Sequence, residues 1–397
     1  MNIILIAWEI PIFNSIQGKA LSRRVGQLIK RLAERGHTLT IIHRDQLEEI
    51  EEGGLRKENW VCFNQSFVRY VTKESRSKVP MSFSFLRTYY HLLTCGDWTG
   101  IWANQTFRLL KDLDLRPDAI ISFFTPRGPL LLGKLLAGYY HVPYFFDFQD
   151  TWDEGLRWDQ KLFSLHWMRK IVKNANGLIH VSPEWSTRDG RKLKSAFHTL
   201  RHAVNLQKNK IHSIGLKSEF RIFYGGSIDF ENQDIKAFLS SVNELPLINN
   251  ITFVYAGPEN VAQKLRNSIT RIKFEYLGWL DDTNFDIAVE KSSVLLILGW
   301  KSPGRKVVPS KLYHYMSFNK PILLAGKDSG ALEQILMEWE HSLCIIVSNL
   351  TDVLIEGVES NFSNFLLPPN CKNIFTEINL AEKYESIVSN AVNLKLT

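Results

Sequence analysis

Cysteine is scarce and dispersed. Cys62, Cys95, Cys344 and Cys371 are the 4 cysteines in 397 residues. Their spacing matches no metal knuckle or redox pair, so neither a disulfide framework nor a cysteine-held metal organises the chain. Long apolar runs are missing too. A membrane-spanning helix needs about 18 uninterrupted apolar residues, whereas the best candidate, Pro129 to Tyr140, is short and carries Lys134. The opening MNIILIAWEIP has no basic lead and no small-residue cleavage site, and reads as a first strand rather than a signal peptide. These absences give a cytoplasmic expectation. The three-glycine dinucleotide fingerprint is absent after that strand, which argues against NAD or FAD; no cofactor is expected.

What is present is ordinary globular composition, 45% hydrophobic and 22% charged, in a chain long enough for two domains. The net charge of +7 suits nucleic acid, anionic lipid or a phosphorylated substrate. The charges are scattered without an aromatic-interleaved basic motif, so nucleic acid is not expected as a partner. Basic clusters at Arg188–Lys194 and at Arg169, Lys170 and Lys173 are either solvated helix faces or a surface attracted to an anionic membrane. The aromatic stretch Met81 to Leu93, followed by Trp98, Trp102 and Phe107, reads as core or as a patch for lipid or a lipid-linked acceptor.

Strand and helix patterns alternate along the chain. Asn2–Trp8 is a strand, and Glu9–Lys19 a loop ending at Gly18 and Lys19. A helix with Val25, Leu28, Ile29 and Leu32 on one face then runs to Gly36. Glu48 to Glu58 reads as an exposed loop. Strands at Ala119–Phe124, Tyr144–Phe148 and Leu178–Ser182 follow. Asp147, Gln149, Asp150, Asp153 and Glu154 cluster where the middle one ends, at the functional edge of a parallel sheet; for Asp150, helix capping is the competing role. The second half repeats the alternation with strands at Phe220–Tyr224, Ile251–Ala256, Phe274–Leu277, Val294–Leu298, Pro321–Ala325 and Cys344–Val347. The expected architecture is α/β, with two Rossmann-like doubly wound domains facing across a cleft. The boundaries are residues 1–206, a polar linker at 207–218, residues 219–378, and a last helix at 379–397 packing back on the first domain.

The stretch Gly299 to Ile335 is the focus. A buried strand feeds a turn-rich loop, Ser310 opens a short helix, and a second strand–loop–helix unit carries Glu333. Helix N-termini at a sheet edge favour anions, and Arg305, Lys306 and Lys311 lie nearby. A diphosphate site follows. The second half has no Asp-X-Asp at a strand end, and Asp281-Asp282 reads as a helix cap, so no metal is expected.

Several motifs carry a family resemblance: RPDAIIS, VPYFFDFQDTW, NANGLIHVSPEW, FRIFYGGSID, ITFVYAGP, FEYLGWL and, most specifically, VPSKLYHYMSFNKPILLAG. With these the chain resembles the GT-B-fold "group 1" retaining glycosyltransferases, in particular members with a Pro-Ser-Lys-Leu-Tyr stretch that build surface polysaccharides. The resemblance implies a nucleoside diphosphate sugar as donor, its diphosphate held by Gly225, Gly226, Arg305, Ser310 and Lys311. Gly257, Gly278 and Leu280 would line the base, and Gly18 and Lys19 would face the acceptor side. Glu333 stands where members place an acid near the donor, and Asp150 is the candidate for orienting the acceptor hydroxyl. The pair of glutamates common in the family is replaced by Lys306 and His314. His314 is then either packed or a contact to the donor sugar.

The expected activity is a metal-independent, retaining, hexosyltransferase-type reaction onto a glycan or lipid-linked glycan of a bacterial envelope polymer, with peripheral contact at an anionic membrane. The alternatives are a sugar-nucleotide epimerase drawing on Asp147, Asp150, Glu333, His180 and His202, and a glycosyltransferase-like binding subunit that has lost donor chemistry.

Overall fold

The structure, a computed structural model, describes residues 1–10, 20–44, 50–51, 54–62, 65–73, 99–153, 156, 158–204, 219–245, 250–301, 308–318, 320–326, 330–338, 344–346, 354–355 and 376–396. The chain divides into two compact units. The first holds Met1–Pro11, Leu21–His202 and Glu377–Thr397; the second holds Ala203–Thr376.

The first unit is built on an eight-stranded sheet, ordered β3-β4-β2-β1-β5-β6-β7-β8. Its strands are β1 (Asn2–Ala7), β2 (Thr38–Arg44), β3 (Leu55–Cys62), β4 (Gln65–Thr72), β5 (Ala119–Phe124), β6 (Tyr144–Phe148), β7 (Gly177–His180) and β8 (Phe197–Thr199). The helices are α1 (Ala20–Glu34), α2 (Thr99–Leu110), α3 (Gly128–Tyr140), α4 (Trp158–Val172), α5 (Pro183–Leu193) and the C-terminal α11 (Glu377–Leu396). Every residue of β5 and β6 is buried, as expected of parallel strands covered on both faces. Helix α1 buries Val25, Leu28, Ile29 and Leu32, and Gly36 beyond its end has φ +82°, a left-handed C-terminal conformation that glycine adopts without strain. One expectation is corrected: Leu55–Glu58 belong to β3, which pairs antiparallel with β4 from Leu55↔Thr72 to Cys62↔Gln65. The charges that read as loop, Arg56, Lys57 and Glu58, lie on an edge strand, where Glu58 meets Arg69 at 2.8 Å. Trp102 is core, fully buried, with Nε1 donating to Thr72 Oγ1 at 2.8 Å.

Arg24 of α1 is the polar centre of this unit. Its Nε is 2.9 Å from Asp147 Oδ2, and both side chains are fully buried. Its other nitrogens donate to the Arg201 carbonyl at 2.8 Å, the Leu200 carbonyl at 2.9 Å and the Tyr384 hydroxyl at 3.4 Å. One guanidinium therefore joins α1, β6, the segment after β8 and α11. Arg31 of the same helix is 2.7 Å from Glu377 at the start of α11, and Arg35, just beyond the helix, has its Nε 2.6 Å from Glu385.

The second unit has a six-stranded parallel sheet, ordered β11-β10-β9-β12-β13-β14. Its strands are β9 (Phe220–Gly225), β10 (Ile251–Ala256), β11 (Lys273–Tyr276), β12 (Val294–Leu298), β13 (Ile322–Ala325) and β14 (Cys344–Ile346). They alternate with α6 (Ile235–Glu244), α7 (Glu259–Ser268), α8 (Asp282–Lys291), α9 (Ser310–Tyr315) and α10 (Gly330–Glu338). Asp281 caps α8, its side chain accepting from Asn284 N at 2.7 Å. Strand order reverses between β9 and β12, the kind of switch point at which open α/β sheets bind ligands. Among the described residues, no helix is long and apolar enough to cross a membrane.

Truncating Asp147 strands the Arg24 guanidinium in the core. Asp147→Ala should lower unfolding free energy by about 3–5 kcal/mol in urea, and the joint change Arg24→Met with Asp147→Leu far less. A loss under about 1 kcal/mol for the single change would mean that Arg24 is solvated after all.

Candidate functional site

The carboxyl edge of the second sheet is lined by turns of one design. Tyr224-Gly225-Gly226 ends β9, Tyr255-Ala256-Gly257 ends β10, and Tyr276-Leu277-Gly278 ends β11. The tyrosines are in register, Tyr224↔Tyr255↔Tyr276, and their rings stack at 6.3 and 6.0 Å. Each hydroxyl reaches a turn carbonyl: Tyr224 donates to Ser227 O at 3.1 Å, Tyr255 to Gly226 O at 3.0 Å, and Tyr276 to Gly257 O at 2.9 Å. Burial raises the Tyr224 and Tyr255 phenols well above their ordinary value, so they stay protonated and donate. Backbone bonds complete the lattice, from Gly226 N to Ala256 O at 2.7 Å and from Gly257 N to Gly278 O at 2.9 Å.

Glycine is needed at these turns for room. A Cβ on Gly225 would come within 2.3 Å of the Phe285 ring, and one on Gly257 within 2.7 Å of the Gly226 carbonyl. Gly226, at φ +105°, also needs the conformational freedom of glycine. Gly225 N donates to Tyr315 Oη of α9 at 2.9 Å, which ties the β9 turn across the switch point to the helix after β12.

Lys311, also on α9, completes the site. Its Nζ donates to Tyr224 Oη at 2.6 Å and sits 3.9 Å above the centroid of that ring. A Cβ on Gly226 would lie 3.3 Å from Nζ, so the ammonium stands directly against the glycine turn. Burial lowers Lys311 from its ordinary 10.5 to about 7. Among the described residues it has no carboxylate partner. A phenol face attracts a cation only modestly, so the site holds a positive charge, or the means to take up a proton, with no built-in anion.

The structure thus brings Gly225, Gly226, Gly257, Gly278 and Lys311 together. Ser310 is the first residue of α9, at the same sheet edge. Leu280, half-buried, packs against the core cluster of this face just after the Gly278 turn. Glu333 lies half-buried in the first turn of α10, the helix after β13. His314 is buried, its ring 5.1 Å from Phe285 and 5.4 Å from Phe318, with Nε2 3.2 Å from Asp286 Oδ1; this is a packing environment. Arg305, Gly18, Lys19, the 207–218 linker and the aromatic stretch 81–93 lie outside the described residues.

In the first unit Asp150 is exposed in the loop after β6. Asp153 is bound by Arg188 at 2.8 Å and Lys192 at 2.6 Å, which hold its carboxyl below the ordinary range against the opposing effect of burial. His180 is buried among Phe148, Trp185 and Phe197, with Nε2 3.7 Å from Asp189. Reading from residue types alone missed the tyrosines. Their signal was in the sequence as a Tyr-X-Gly repeat, at Tyr224, Tyr255 and Tyr276.

Residues 20–188 match the model of the glycosyl transferase 4-like domain. HepE from Anabaena, solved with UDP and glucose, aligns with a TM-score of 0.61 at 11% identity, over 98% of this chain and 100% of that one. Lipopolysaccharide outer core galactosyltransferase WaaB aligns at 0.57 and 13% identity, over 98% of this chain and 99% of that one. The chain has the GT-B glycosyltransferase fold. That GT-B fold extends beyond transferases. A candidate UDP-N-acetylglucosamine 2-epimerase from Listeria monocytogenes aligns at 0.53 and 11% identity, over 100% of this chain and 97% of that one. Comparison with curated protein sequences gives no match.

Lys311 gives the GT-B chain a measurable pH signature. Its folded value lies below the unfolded 10.5, so the unfolded chain binds the extra proton between the two values. Stability should therefore rise with pH from about 7 towards 10.5, and this rise should shrink in Lys311→Met, as read by urea midpoints across that range. An unchanged slope would place Lys311 in solvent.

Proposed function

We propose that the protein is a glycosyltransferase that moves a sugar from a nucleoside diphosphate sugar to a glycan or lipid-linked acceptor. The observation that carries this reading is Lys311: an ammonium without a carboxylate partner among the described residues, set against Gly226 at the switch point of a parallel sheet. An anionic ligand there would raise the Lys311 value, so the site would take up a proton as it binds a diphosphate. Departure of the nucleoside diphosphate builds negative charge on its bridging oxygen. Lys311, already desolvated and held in place, would stabilise that charge with little reorganisation. Gly257 and Gly278 would line the base. UDP is the first nucleotide to try, because it is bound in the Anabaena HepE structures.

Retention of configuration, with departure and attack on one face of the sugar, follows the family resemblance. It asks for no strong protein base, in keeping with an exposed Asp150 whose role would be to orient the acceptor hydroxyl. Transfer of a hexose, independence from divalent metal and a place in envelope polysaccharide synthesis belong to the same reading. Turnover undiminished in EDTA is the expected outcome for the metal.

The epimerase alternative loses two of its groups. Asp147 is committed to Arg24, and His180 is enclosed by aromatic rings. The binding-subunit alternative draws support from His314, which packs against Asp286 where many family members have an acid.

A thermal-shift panel of UDP, GDP, ADP and CMP with their sugars separates these readings. A ligand at one hundred times its Kd stabilises the folded state by ~2.7 kcal/mol, so one nucleoside diphosphate should give a clear rise in melting temperature. No shift with any nucleotide would remove the donor site. A shift without sugar transfer or donor hydrolysis would favour the binding subunit.

A further inference from the structure

Helix α4 exposes an apolar stripe that nothing in the transfer chemistry uses. Trp158 is 76% exposed, Leu162 63% and Phe163 38%. Its opposite face is core, with Ser164, Met168, Ile171 and Val172 buried. Down the same outer face the character changes: His166, Arg169, Lys170 and Lys173 are all exposed. At helical spacing, Trp158, Leu162, His166, Arg169 and Lys173 fall on one side, with Phe163 and Lys170 flanking them. The sequence from Trp158 to Lys173 carries four cations, Lys161, Arg169, Lys170 and Lys173, against one acid, Asp159.

Neighbouring helices add to the basic end. Lys134 of α3 donates to the Lys170 carbonyl. Burial lowers the Lys134 ammonium, and the charges of Lys170 and Lys173 lower it further. Arg169 donates to the Lys192 carbonyl at 3.0 and 2.8 Å, which brings the end of α5 alongside, with Arg191 and Lys194 exposed. The basic run of α5 is only partly available, because Arg188 and Lys192 are spent on Asp153. The positive surface therefore centres on the C-terminal half of α4, directly continuous with the tryptophan, leucine and phenylalanine of its first half.

We propose that this face of α4 docks the protein on an anionic lipid bilayer. Leucine and phenylalanine would enter the acyl boundary, Trp158 would sit at headgroup level, and the lysines and arginine would meet lipid phosphates. A nucleic acid would use the charge but leave the apolar stripe in water, and an apolar protein groove would leave the cations unmatched. A bilayer surface matches both halves at once. The docking is independent of donor and acceptor, so its test stands apart from that of the transfer reaction.

The full chain is co-sedimented with phosphatidylcholine vesicles, with and without phosphatidylglycerol. Binding is expected only with phosphatidylglycerol, weakening as salt is raised. Trp158→Ser with Leu162→Ser, and separately Lys170→Glu with Lys173→Glu, should each reduce partitioning at least about tenfold while leaving the melting temperature unchanged, since all four side chains are exposed. Absence of binding to phosphatidylglycerol vesicles at low salt would overturn the proposal. So would binding that survives both double substitutions. Concentration-dependent self-association abolished by Trp158→Ser with Leu162→Ser, with vesicle binding intact, would assign the face to a second copy of the chain instead.

Discussion

Tyrosine hydroxyls fix the carboxyl edge of the second unit's sheet. A glycine turn at a strand end is soft by itself, because glycine has the most backbone freedom to lose. Here two of the three turns are pinned by a tyrosine of the neighbouring strand: Tyr255 holds the Gly226 carbonyl and Tyr276 holds the Gly257 carbonyl. With the carbonyls occupied inward and Gly225 N tied to Tyr315, the turns keep one shape, closely packed where side chains would have been. The same ladder supplies the surface on which Lys311 rests. The shape of the turns and the seat of a desolvated ammonium both depend on this stack of rings.

The first unit solves a different problem with a single cation. Arg24 draws together α1, β6, the chain as it leaves the unit and the C-terminal helix that returns to it. A buried ion pair is a poor source of net stability, but it is costly to break and it accepts few alternative arrangements. That suits a place where segments distant in sequence must meet in one register. The outer helix α4 faces no such demand, and it carries the apolar and basic surface that an anionic bilayer would match.

Strand positions were legible because buried parallel strands read as unbroken apolar runs, as in Val294–Leu298 and Ala119–Phe124. The charged residues of Leu55–Glu58 misled because an edge strand is solvated on one side and so carries charge. Lys311 and the glycine turns could be placed at the sheet edge from the strand–loop–helix pattern. The hydroxyl of Tyr224 could not, because its role depends on cross-strand register, which a single strand does not reveal. His314 was open between packing and ligand contact, and its ring neighbours Phe285 and Phe318 lie on α8 and just after α9. Only tertiary packing could weigh those two roles.

The proposed transfer chemistry rests on Lys311 holding a diphosphate beside the glycine turns. Calorimetric titration of UDP and of uridine against the wild-type chain and Lys311→Ala tests it most directly. The substitution should weaken UDP binding at least about tenfold, as expected for loss of a charge-assisted hydrogen bond, and leave uridine binding nearly unchanged. Equal weakening of both ligands would contradict it, because Lys311 would then support the fold of the site rather than the phosphates.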